Sequence, residues 1–135
     1  MPPGDHRRLK LHSLNLSWGS GSTATVEVEL LNGEASVKHS RSGFALGNNA
    51  LRLVAEATAS AVTESLRIPG HGIIADSINL VQGYGGSDVV LATAIMMTPQ
   101  AELRLSGSCI VKQDAYRAAA AALLNAVNRQ IASLI

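Results

Sequence analysis

The sequence predicts an α+β fold: two βββα units forming an α/β sandwich with pseudo-twofold symmetry. Three observations carry this. Stretches of alternating apolar and polar residues, the period of a half-buried strand, occur in both halves of the chain. Two longer stretches carry apolar residues every three or four positions, the period of a helix with one buried face, and each closes a half. The order of three strands and then a helix recurs after roughly 60 residues, with little residue identity between the halves, so the pattern repeats and the sequence does not. A three-stranded sheet with one helix has one apolar face, and two such units can bury those faces against each other.

The clearest element is the last. Asp114 suits an N-cap, because its carboxylate can accept a free backbone N–H, and the strong helix formers Ala118 to Ala122 follow it. Tyr116, Ala120, Leu123, Val127, Ile131 and Leu134 make the apolar stripe, while Arg117, Asn125, Asn128 and Arg129 fall off it.

From the start, residues 1–8 (MPPGDHRR) are polar and Pro/Gly-rich and are expected to be a disordered tail, leaving 9–135 as a single domain with unit one at 9–68 and unit two at 72–135. Leu9 to Trp18 reads as a strand whose apolar parity switches at His12-Ser13, where a β-bulge would insert one residue. Gly19 to Ser22 turns the chain. Ala24, Val26, Val28 and Leu30 then alternate with Thr25, Glu27 and Glu29. Asn32-Gly33 signals a type I′ hairpin, because both residues tolerate positive φ, with a return strand from Glu34 to Ser40. After a loop over Arg41 to Gly47, a helix starts at Asn48 or Asn49 and ends near Leu66, stopped by Arg67-Ile68-Pro69-Gly70.

In the second half, Gly72 to Val81 reads as a strand and Gly83-Tyr84-Gly85-Gly86 as a glycine-rich connection. The nearly unbroken apolar run from Asp88 to Thr98 predicts a central strand buried on both faces. Pro99-Gln100 turns the chain, and Leu103, Leu105, Gly107, Cys109 and Val111 alternate with polar residues before the Asp114 helix.

Composition narrows the function. Apolar residues at 47% with 16% charged mark a globular chain, and a net charge of +1 with scattered cations argues against nucleic acid. Four aromatic residues (Trp18, Phe44, Tyr84 and Tyr116) offer no stacking platform for single strands. The lone Cys109 leaves no internal disulfide and fits a reducing cytoplasm. Neither an N-terminal apolar signal nor a membrane-length run is present, so no membrane is expected as a partner. His6, His12, His39 and His71 have no metal-binding spacing, and neither a metal nor a cofactor is expected.

Two stretches are candidates for a ligand site. Gly43, Phe44, Ala45, Asn48 and Asn49 lie at the start of the first helix, where free N–H groups suit a carboxylate and Phe44 with its neighbours can line an apolar pocket. An ordinary capped loop would carry the same residues. In the second stretch, Tyr84, Gly86 and Asp88 sit in the glycine-rich connection, where Tyr84 can cover a ligand and Asp88 can take an amino group, or the turn alone can account for them. Asp76, between Ile74 and Ile78, reads as a buried acid on the apolar parity or as a partner of Arg104.

The chain also resembles a known family, the C-terminal regulatory (dimerisation) domain of isopropylmalate synthases and citramalate synthases. The resemblance rests on the opening LKLHSLNLSWGSGSTATVEVEL, on Gly86-Ser87-Asp88 before the central strand, and above all on the final helix. There, Asp114, Ala118, Ala120, Ala122, Leu124, Asn125, Ala126, Asn128 and Arg129 match the family's Asp…Ala…Leu-Asn-Ala-Leu-Asn-Arg pattern. It spans most of residues 9–133. The resemblance implies a non-catalytic homodimeric module of leucine-type biosynthesis that binds a branched-chain amino acid or keto acid at the dimer interface and acts on a barrel-type synthase. Two departures stand out. SRSGFALGNNA replaces the family's Gly-x-Gly-Pro-x-Asp-Ala run, and the catalytic barrel with its His-x-His pair is missing from these residues. Two other readings follow: a dimerisation protein without a ligand, which the altered run favours, and a small enzyme using Asp76, His39 or Tyr84 as acid–base groups on an apolar substrate.

Overall fold

The computed structural model describes residues 9–134; the opening segment 1–8, expected as a tail, and Ile135 lie outside the described residues. Two three-stranded antiparallel sheets each lead into a helix, giving two βββα units. The first comprises β1 (Leu9–Trp18), β2 (Thr23–Asn32), β3 (Ala35–Phe44) and α1 (Asn49–Leu66). The second comprises β4 (Gly72–Gln82), β5 (Asp88–Met97), β6 (Glu102–Ile110) and α2 (Ala115–Leu134). β2 and β5 are the middle strands of their sheets.

The expected bulge in β1 is there. Its register against β2 slips between Leu11 and Ser13, leaving His12 as the extra residue, so Leu11 pairs with Leu30 and Leu14 with Val28. The second sheet uses the same device at a place where simple alternation fails. β4 slips between Ala75 and Ser77, and Asp76 is the extra residue. Ile74 and Ile78 therefore face opposite sides: Ile78 is buried, while Ile74 is 50% exposed. Asp76 is carried to the outer side, where its carboxylate accepts hydrogen bonds from Thr93 Oγ1 (2.9 Å) and Arg104 (3.3 Å). It is the partner of Arg104 and not a core acid.

Three further expectations are corrected. The β2–β3 turn is centred on Gly33-Glu34, since Asn32 still pairs with Ala35 and, of the turn residues, only Gly33 takes a positive φ (65°). That is the pattern of a type II′ turn, with glycine first, in place of type I′. β3 also runs on through Phe44 where a loop was expected from Arg41, because its partner β2 pairs along its whole length. The third correction matters most. β5 is the middle strand, but only Val90, Ala92, Ala94 and Met96 are buried, while Leu91 and Met97 are 46% and 39% exposed. An apolar run predicts burial on both faces, and within this chain only one face is covered.

The helices account for the covered faces. α1 packs on β2 and β3 of its own sheet and on β4 of the other; α2 packs on β5 and β6 and reaches β1; and the helices touch each other. Helices with several neighbours are buried around more of their circumference than one stripe. Ala120, Leu123, Val127 and Ile131 of the predicted stripe are buried, and so are Ala118, Ala119, Leu124 and Ala126 beside it. Small residues allow this. A Cβ placed on Gly107 of β6 would stand 2.5 Å from the Ala122 carbonyl oxygen and 2.4 Å from the Ala126 nitrogen, so strand and helix backbones meet directly.

Asn128, expected on the polar edge of α2, is buried (7% exposed). Its Oδ1 accepts from the Leu9 N–H (3.0 Å) and its Nδ2 donates to the Leu9 carbonyl (3.2 Å), tying the second unit's helix to the first unit's opening strand. Among the described residues no helix is long and apolar enough to cross a membrane.

Candidate functional site

The two helix starts differ. At α2, Asp114 Oδ1 accepts the Arg117 N–H at 2.8 Å, the capping bond its sequence position predicts. At α1 the residue in the same role is Asn48, and its side chain makes no capping hydrogen bond. The Asn49 N–H bonds the Leu46 carbonyl (3.1 Å) and the Arg52 N–H bonds the Asn48 carbonyl (3.0 Å). Between them, the N–H groups of Ala50 and Leu51 have no acceptor among the described residues, and no acidic side chain lies in the first turn. Unpaired donors and the positive end of the helix dipole make this corner electrostatically suited to an anion.

The strand before α1 shapes the corner. Gly43 of β3 lies against Leu53 of α1, where a Cβ would come 3.1 Å from Leu53 Cδ2, so glycine lets the helix start close to the sheet. Ala45 is buried, and its N–H bonds the Ser22 carbonyl (2.9 Å). Phe44 and Leu46 on either side are each 55% exposed. Asn48 and Asn49 are exposed as well. Thus Gly43, Phe44, Ala45, Asn48 and Asn49 come together at one corner, with the unpaired N–H groups of the buried Ala50 and Leu51 near exposed apolar side chains.

Tyr84 and Gly86 lie in the β4–β5 connection, which contains one short helical turn, Tyr84–Gly86, and Asp88 opens β5 behind it. The side chain of Tyr84 lies outside the described residues. The connection is closed by the Gly83 N–H to the Ser87 carbonyl (2.8 Å), and a Cβ on Gly83 would collide with that oxygen. Gly85 and Gly86 take positive φ, which glycine adopts without strain. The Asp88 carbonyl accepts the Val111 N–H (2.9 Å), while its carboxylate makes no hydrogen bond among the described residues.

The other acid–base candidates are engaged separately. His39 Nε2 stands 3.5 Å from Glu64, and Asp76 is held by Arg104 and Thr93 on the outer face of the second sheet. Among the described residues no three His, Cys, Asp or Glu side chains come together to hold a metal ion.

Sequence reasoning missed one feature. A cavity of about 310 Å³ opens where β6 meets the start of α2, lined by Leu11, Cys109, Ala118 and Ala121 with Lys112 and Arg117. Neither cation forms an ion pair among the described residues. Charges at Lys112 and Arg117 after an apolar stretch were visible, but the wall contributed by Leu11 comes from the other unit and leaves no local signal. No family model matches this chain, and no curated protein matches it either.

Proposed function

We propose that this chain is a non-catalytic homodimeric module of the isopropylmalate synthase regulatory type, binding a small carboxylate with an apolar side chain, such as a branched-chain amino acid or keto acid. The observation that carries this reading is the uncapped start of α1 beside the exposed Phe44 and Leu46. A carboxylate there receives the Ala50 and Leu51 N–H groups, and the apolar side chain covers Phe44 or Leu46. The Asp88 carboxylate, without a hydrogen bond among the described residues, takes an amino group from across the dimer interface. The βββα repeat and the capped Asp114 helix support the family resemblance. Binding favours one dimer arrangement and so biases a barrel-type synthase, attached or separate, in the cytoplasm.

Isothermal titration with leucine, isoleucine, valine and their keto acids tests the reading. Heat that saturates with one of them in the micromolar to millimolar range is expected, and no binding by any of them removes the ligand from it. A second reading, dimerisation without a ligand, is favoured by the Gly83–Ser87 connection, whose glycines are fully accounted for by backbone geometry.

A further inference from the structure

The cavity where β6 meets the start of α2 lies apart from the corner at α1, and its walls are of two kinds. One part is apolar and built from short side chains: Cys109 of β6 with Ala118 and Ala121 of α2, and Leu11 of β1 beside them. Leu11 and Cys109 are half-buried against the core, and Ala118 is buried. Small residues on the facing strand and helix leave this space open, and a larger side chain at Ala121 would occupy it. The other part is charged. Lys112, in the connection after β6, and Arg117, in the first turn of α2, are both exposed. Neither side chain has an ion pair or hydrogen bond among the described residues. Asp114 also borders the cavity, but its Oδ1 is committed to the Arg117 N–H at 2.8 Å. Two cations and one engaged carboxylate leave the mouth with a net positive charge.

We infer that this cavity binds a medium-chain carboxylate, its hydrocarbon chain lying on Leu11, Cys109, Ala118 and Ala121 and its head between Lys112 and Arg117. Covering the apolar wall removes hydrocarbon from water, and the carboxylate supplies the partner that both cations lack. A single negative charge matches the net charge at the mouth. The volume sets the chain length. About 310 Å³ lies at the low end for small-molecule pockets. At about 30 Å³ for each water-sized group it has room for about ten, which selects a chain of about eight to ten carbons. The ligands proposed for α1 fit poorly here. A branched keto acid, with its short side chain, leaves much of the cavity empty, and leucine brings an ammonium group toward two cations. The site at α2 is therefore independent of the one at α1, and neither stands or falls with the other.

Cys109 is the one cysteine of the chain and lines the cavity, so its alkylation reports whether the cavity is filled. With the full wild-type chain, decanoate is expected to bind saturably in calorimetry and to protect Cys109 from iodoacetamide, read as the mass of the singly alkylated protein. Decanol, the same chain without a charge, should bind about tenfold more weakly, the worth of two exposed ion pairs. Lys112→Gln combined with Arg117→Gln should weaken decanoate by the same factor and leave decanol unchanged, with the circular dichroism spectrum of the wild type because both side chains are exposed. Ala121→Leu fills the cavity and should abolish the protection. No binding of decanoate up to the millimolar range overturns the inference. Binding that neither slows alkylation of Cys109 nor responds to Ala121→Leu places the chain on another surface and overturns it too. Decanol binding as tightly as decanoate removes the carboxylate from the recognition and overturns the ligand class. Movement of the Ala50 and Leu51 resonances with leucine bears on the site at α1 alone.

Discussion

In the first unit the edge strand reaches its helix through charge; in the second it reaches it through bare backbone. β3 presents His39 and Arg41 toward α1, where Glu64 and Glu56 receive them at 3.5 Å each, and Arg52 joins Glu56 from the same helix. β6 presents Gly107, pressed against Ala122 and Ala126 of α2. The outer faces differ at their middle strands, where β2 presents Glu27 and Glu29 and β5 presents Leu91, Ile95 and Met97. The helix starts differ too, α1 open and α2 capped. One topology is therefore held by two kinds of contact. The unit whose edge strand meets its helix backbone to backbone has the capped helix, and the unit with the ionic edge has the helix start without a side-chain cap.

The sharpest way to break the comparison is to substitute the two edge-strand glycines. Gly107→Ala should cost about 3 kcal/mol or more, because its Cβ would meet helix backbone that has no room to give. Gly43→Ala meets only the tip of the Leu53 side chain and should change stability by about 1 kcal/mol at most. Midpoints of urea unfolding read both. Equal costs would mean that the strand–helix contacts of the two units are alike after all.

Next in size is Asn128→Ala, which leaves the Leu9 N–H and carbonyl without the partners they have in α2 and should cost about 2 kcal/mol by the same assay. A loss below about 0.5 kcal/mol would mean that water or strand pairing satisfies Leu9 equally well.

The caps come third. Asp114→Ala should cost about 1 kcal/mol and Asn48→Ala only a few tenths, since only the first of these side chains makes a capping bond. Asn48→Asp sharpens the contrast. A carboxylate supplied by the chain itself fills the open start of α1, so thermal stability should rise slightly while binding of a carboxylate ligand falls. Smallest is Glu56→Gln. It removes partly exposed ion pairs with Arg41 and Arg52 and should cost under about 1 kcal/mol, with the difference shrinking at high salt.

Periodicity carried most of the fold. Six strands, two helices, the His12 bulge and the Asp114 cap could be read because each writes its signal within a few neighbouring residues. The second bulge could not, because Asp76 falls between two isoleucines and imitates unbroken alternation. Asn128 was misplaced for a different reason. Amphipathic patterning expects one buried stripe, whereas α2 has three strands of the second sheet, β1 and α1 as neighbours, and its polar residue finds its partner in β1. The candidate site was legible as a place, the loop before α1, but not as a state. Whether Asn48 caps its helix is decided by side-chain geometry that sequence leaves open. The apolar run of β5 was read as doubly buried, but a run of apolar residues does not say how many faces are covered, and here one is left exposed.

The most direct test of the proposed function is amide chemical-shift mapping of the wild-type chain titrated with leucine and its keto acid. The Ala50 and Leu51 amide resonances should move most and saturably, and the same titration of Asn48→Asp should leave them nearly still. Shifts centred instead on Lys112 to Arg117 at the start of α2, or none at all, would contradict a ligand site at the open start of α1.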